Sequence, residues 1–249
     1  MKSLLKLEFT RLRKQKSFYV CSVLAMVFVW LLESITYTAA KNWQDFLVDA
    51  SGIQSLINGV GTSAYVLLSS VFVVLYFCED HTQQTIKNIL AKGYSKTQVY
   101  FAKTISCCGA ATLMFVMVEL AALVIGTCFY GFGDPGDYSF LSIIGTQYIA
   151  NMVNILLCIF ICALCRKTGA SMLVMLFVPD LIDMALSLGE LILSDTTHLS
   201  ANAWFIRLLN DACTLQTVSG RLYECLLGSL VYAPIFLVAG LCIYKKREL

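Results

Sequence analysis

The chain has 249 residues, of which AVILMFWYC make up 58% and charged residues only 14%, where soluble domains carry about 25% charge. Mean hydropathy is +0.75 and net charge +2. A single soluble core cannot hide that much apolar side chain, so lipid must serve as solvent for much of it, which excludes a soluble enzyme, a disordered protein and a nucleic-acid binder.

The first sixteen residues are basic, with Lys2, Lys6, Arg11, Arg13, Lys14 and Lys16. Leu5, Phe9 and Leu12 recur at steps of 4 and 3, so the segment reads either as an interfacial helix on an anionic leaflet or as an orientation signal continuous with the first span. Six stretches of roughly 20 apolar residues follow, at 18–37, 59–77, 101–130, 140–164, 168–193 and 225–244. The second, fourth and sixth carry no Asp, Glu, Lys or Arg. No cleavage signal of the A-x-A kind precedes the first span. Fifteen of the eighteen Lys and Arg fall on the side that holds both termini, leaving Lys41, Arg207 and Arg221 on the other. Basic residues resist translocation, so both termini are expected inside. The expected fold is an all-α integral membrane protein of one domain, with six spans, an N-terminal interfacial helix and a cytoplasmic loop helix between the second and third spans.

That loop, 79–98, is too polar to cross a bilayer and too long for a plain turn. Asp80 or Thr82 can cap a short helix, Ile86, Ile89 and Leu90 form one apolar ridge, and Gly93 suits a left-handed stop. Ser95 followed by Gln98 forms the pattern of a capping box opening the next helix. Such a ridge needs a partner, either headgroups or a docked protein.

No phosphate-binding loop ending in Gly-Lys-Ser/Thr is present, and the dipeptide Gly-Lys does not occur. His81 and His198 are expected on opposite sides of the membrane, so they cannot build a zinc site together. Asp180 and Asp183 lie three apart on one helical face and are weak candidates for acid catalysis. The chain is therefore expected to hold no cofactor or metal and to catalyse nothing itself.

The segment from Glu79 through Thr85-Ile86-Lys87, Leu90, Gly93, Ser95-Lys96, Tyr100 and Lys103 resembles the ABC type-2 permeases, the membrane subunits of antibiotic, lantibiotic and bacteriocin resistance transporters. The basic start, the six spans and the Lys245-Lys246-Arg247 tail agree with it. The resemblance implies that Glu79, Thr85, Ile86, Lys87, Ile89, Leu90 and Gly93 form a coupling helix seated on a separate ATPase subunit, which binds ATP and magnesium. It implies a homodimer or a sister permease, and a bacterial cytoplasmic membrane location. The implied activity is ATP-driven export of hydrophobic or antimicrobial peptides or drugs; a non-transporting sensor subunit is the other reading.

Glu33, Glu119 and Asp183 lie 16 or 17 residues beyond the basic residue that opens their span, which places all three roughly 24–26 Å from the inner boundary. Asp180 lies one turn lower, beside Pro179, where a missing N–H should kink or break the helix. These four acids either ring an exit path for cationic substrates or mark helices that end early and meet outside water. Cys158, Cys162 and Cys165 share a helical face and are expected at a helix contact rather than on a metal. Cys213 and Cys225 are both expected outside, where they could pair. The outer loop, 194–224, carries Trp204 and an apolar stripe of Phe205, Leu208, Leu209 and Ala212, expected to lie on the outer leaflet.

Overall fold

A computed structural model of the chain describes residues 2–42, 51–61, 63–82, 89, 91–133, 140–193, 207–209, 212 and 218–246. These residues form helices and no strand. The helices are α1 (Lys2–Lys14), α2 (Lys16–Asn42), α3 (Gly52–Gly61), α4 (Ser63–Thr82), α5 (Lys96–Tyr130), α6 (Phe140–Cys165), α7 (Thr168–Leu193) and α8 (Val218–Lys246). Six stretches are long and apolar enough to cross a bilayer: Lys16–Lys41, Gly52–Glu79, Lys96–Tyr130, Leu141–Cys165, Thr168–Glu190 and Leu222–Lys246. They coincide with the six expected spans. The second starts earlier than hydropathy suggested, because the uncharged stretch Gly52–Gly61 is already helical.

α5 is the hub, packed against α1, α2, α3, α4, α6 and α8. Its face is dominated by small residues: Cys107, Ala110, Ala111, Val118 and Ala122 are all fully buried. Small side chains let helix backbones approach closely where no hydrophobic force drives the helices together. The closest approach is to α3. A side chain at Gly126 would overlap Ser55, and a Cβ at Gly59 would stand 2.6 Å from the Cβ of Ala122. Both positions admit only glycine at this separation. α6 pairs with α8 along most of its length and also meets α4. α7 meets α4 and α6, with none of its apolar window buried against 61% for α6. Pro179 lies inside α7 without ending it, so the expected break does not occur and the helix carries on past both aspartates.

The expected apolar face of α1 is not the one it buries. Leu4, Glu8 and Leu12, at steps of 4, are each below 5% exposed, while Phe9 is 43% exposed. α1 packs on α5, so a protein groove and not the leaflet alone selects its orientation. Phe9 still reaches the backbone of Gly109, where a Cβ would meet its ring at 3.2 Å.

Candidate functional site

The segment joining α4 to α5 is held at one end by Gln15, the residue between α1 and α2, and at the other by α1. At its entry, Gln15 Nε2 donates to Glu79 Oε2 at 2.9 Å. At its exit, Ser3 Oγ and Tyr94 Oη are hydrogen-bonded at 2.9 Å. Leu4 completes the exit by packing with Ile89, Val99 and Ala102, and Leu5 and Tyr94 close around them. Ile89, expected on an outward ridge, therefore faces α1 and is buried. Thr85, Ile86, Lys87 and Leu90 lie outside the described residues. Asp80 and Thr82 fall in the last turn of α4, and the helix they were expected to cap lies outside the described residues. The stop and restart come where the residue chemistry placed them. Gly93 has φ +86°, open to glycine at no steric cost. Ser95 caps α5, with Gln98 N donating to Ser95 Oγ and Ser95 N donating to Gln98 Oε1.

Beneath this brace lies a buried polar cluster that pattern reading missed. Tyr76 Oη donates to Glu8 Oε2 at 2.7 Å and lies 3.2 Å from the Glu8 carbonyl. Lys103, counted in the sequence as an interfacial charge, is 1% exposed. Its Nζ donates to the Phe77 carbonyl at 3.1 Å and lies 5.1 Å from the Phe77 ring centre and 5.7 Å from that of Tyr76. α5 begins at Lys96, so Lys103 is already two turns inside it. One tyrosine thus touches both a buried acid and a buried cation, which fastens α1 to α4 and α5. The available signal was Glu8 at the centre of the 4-step stripe from Leu4 to Leu12.

The four acids expected at span depth do not form one constellation. Glu33 is hydrogen-bonded by Ser55, and Ser55 packs on Gly126. Glu33 is thus level with Gly126, seven residues beyond Glu119, and about 10 Å farther along α5. Glu119 is 6% exposed, and neither carboxylate oxygen has a hydrogen-bond partner among the described residues. Asp183 is taken up by Arg207: Nε donates to Asp183 Oδ1 at 2.8 Å, Nη1 to Glu190 Oε2 at 2.7 Å and Nη2 to Ser187 Oγ at 2.9 Å. Asp183, Ser187 and Glu190 stand at steps of 4 and 3, one face of α7, and the carboxylates of Glu190 and Asp183 hold the guanidinium pKa above its ordinary value. Only Asp180 is exposed, in line with the exposed Leu173, Phe177 and Met184.

The segment bearing Arg207 turns inward. Leu208, Leu209 and Ala212 are buried against Ala150 and Val153 of α6 and Cys225 of α8, and Leu208 lies where a side chain at Gly228 would be. The stripe expected to rest on lipid rests on protein instead; Trp204, Phe205 and Cys213 lie outside the described residues. Cys158 and Cys162 are buried at the contacts of α6 with α4 and α7, where Cys158 Sγ lies 3.5 Å from Met175 Sδ. Among the described residues no group of three or more His, Cys, Asp or Glu could hold a metal ion.

Two comparisons with known proteins bear on this arrangement. A family model described as an ABC-2 family transporter protein matches residues 4–179, more than two thirds of the chain, from α1 to the middle of α7. A comparison with curated proteins finds no match.

Proposed function

The chain belongs to the ABC-2 transporter family, and from that premise we propose that it is the membrane subunit of an exporter powered by a separate ATPase subunit. It is a multi-pass membrane permease component; the partner, the direction and the cargo are the proposal. The observation that carries it is the brace between α1 and the α4–α5 segment. Gln15 grips Glu79 at the entry, and Ser3 and Leu4 hold Tyr94 and Ile89 at the exit. A surface loop held at both ends can transmit a push, because its ends cannot yield independently of the helices they join. The segment around Thr85, Ile86, Lys87 and Leu90, with Gly93 at its close, is the coupling element that seats on the ATPase. ATP and magnesium bind that partner, and its closure shifts packed helices between two discrete arrangements.

The exposed stripe of α7 supports pairing of two permeases. Leu173, Phe177, Asp180 and Met184 are exposed on one face, and an aspartate facing lipid at mid-span costs about 3 kcal/mol. A second copy, or a sister permease, covers this face and leaves Asp180 on a wetted path between the two. A lone acid on an apolar wall favours amphipathic cations, so the cargo class is hydrophobic or antimicrobial peptides or drugs. The excess of basic residues on the side of the termini supports a cytoplasmic location for both, in a bacterial cytoplasmic membrane.

Co-purification with a candidate ABC ATPase subunit co-expressed with the chain tests the reading. Leu90→Asp should abolish ATPase association while leaving the permease folded; retained association in that variant overturns the coupling assignment. Intact association without ATP-dependent flux of any peptide or drug assigns the sensor role instead.

A further inference from the structure

The two halves of α7 are held by different means. The inner half packs: Ser171 is fully buried, with its hydroxyl 3.5 Å from Cys78 Sγ on α4, and Met175 Sδ lies 3.5 Å from Cys158 Sγ on α6. Met172 and Met175 also rest on the main apolar core. Past Pro179 the helix turns apolar side chains outward, with Leu181, Ile182, Met184 and Leu188 all exposed and open space beside Gly189. Three hydrogen bonds from the Arg207 guanidinium, to Asp183, Ser187 and Glu190, tie this half across to the bundle. Arg207 is itself anchored by its neighbours, since Leu208, Leu209 and Ala212 are buried against α6 and α8.

Pro179 stands at the boundary between the halves. Having no N–H, it cannot donate to the Met175 carbonyl, so one rung of the ladder is missing while the helix carries on. A helix bends most readily where a rung is absent. Asp180, Asp183, Ser187 and Glu190 follow at steps of 3, 4 and 3, which sets them on one stripe. Asp183 stands about 4.5 Å beyond Asp180 along the axis, so Arg207 lies across the outer end of the face that carries Asp180. A guanidinium shared by two carboxylates that are only partly shielded from water holds weakly. That is enough to favour a closed position and too little to fix it.

We propose that the outer half of α7 is a gate hinged at Pro179 and latched by Arg207, which must let go before cargo can pass outward from Asp180. The role in cargo passage rests on the reading of the α7 face as the cargo path. The hinge and the latch belong to the single chain and need neither ATPase nor cargo, so they stand or fall separately from the coupling assignment.

The test is fluorine NMR of the purified full chain in nanodiscs, with trifluoromethylphenylalanine at the position of Leu188 in the outer half or of Leu173 in the inner half, both exposed on α7. At Leu188 a main signal and a minor one, latched and open, are expected, and Arg207→Ala should raise the minor fraction about fivefold. The Leu173 signal should not change. Adding Pro179→Ala restores the missing rung and should reverse most of that gain. Concentrated sodium chloride should act on the otherwise unaltered chain as Arg207→Ala does, which keeps the test open if that variant folds poorly. A Leu188 spectrum indifferent to Arg207→Ala or to salt overturns the latch. Equal changes at Leu173 and Leu188, or a gain that Pro179→Ala leaves intact, overturn the hinge.

Discussion

α6 and α7 are adjacent in sequence, similar in length and both apolar, yet 61% of the α6 window is buried and none of the α7 window is. α6 lies between α8, α4 and α5, and its polar residues Gln147, Asn151 and Asn154 all turn inward, Asn154 onto Ser70 at 3.1 Å. α7 turns large apolar side chains outward and keeps Asp180 among them, while Asp183, Ser187 and Glu190 clasp Arg207. Hydropathy alone does not separate these two helices. Only the neighbours do. α6 hides its polar groups within the chain, whereas α7 leaves an acid exposed on its apolar face, which is the face the proposed second permease would cover. The family match ends at residue 179, so Asp183, Glu190 and Arg207 lie outside the matched residues.

Substitutions at glycine give the widest test of that contrast. Gly126→Val drives a branched side chain into Ser55 and the Gly52 backbone and should cost about 3 kcal/mol, read as loss of folded, monodisperse protein. Gly189→Ala on α7 meets nothing within 4 Å and should change stability by about 0.5 kcal/mol or less. Equal effects at the two sites would break the contrast. Tyr76→Phe removes the donor to buried Glu8 and should cost about 2 kcal/mol, most of it recovered by adding Glu8→Met, which deletes a buried acid left with only the long Arg11 contact at 3.8 Å. Thermal unfolding of the two single variants and the double variant decides this.

Arg207→Ala should cost about 1 kcal/mol, because the clasp is only partly shielded from water. The wild-type chain should lose that margin in high salt and the variant should not, with proteolysis in the 194–224 segment as the readout. The smallest effect on folding is expected for Leu181→Ala, exposed on α7: about 0.5 kcal/mol or less for the monomer, but a lower dimer fraction by chemical cross-linking. A large loss of monomer stability there would mean that α7 is already packed within one chain.

Several local features were legible in the residues. The Ser95–Gln98 capping box and the left-handed Gly93 depend on atoms within a few positions of one another, so their sequence pattern carries the geometry. The α1 stripe was assigned by periodicity to Leu5, Phe9 and Leu12, but α5 accepts Leu4, Glu8 and Leu12. Glu8 interrupts an apolar periodicity, and only Tyr76, sixty-eight residues away, gives it a buried place. α5 begins at Lys96, so Lys103 lies two turns inside it, where α4 buries it against Tyr76 and Phe77.

Composition and charge distribution determined the six spans and argued for the side of the termini, because partitioning into lipid sums over neighbouring side chains whatever their distant contacts. Tertiary structure decided which face of α1 is buried, that Arg207 satisfies Asp183, and that Glu119 is buried without a hydrogen-bond partner among the described residues. Those outcomes depend on the approach of helices far apart in sequence. At such contacts a few small residues set the distance, and with it which polar groups find partners.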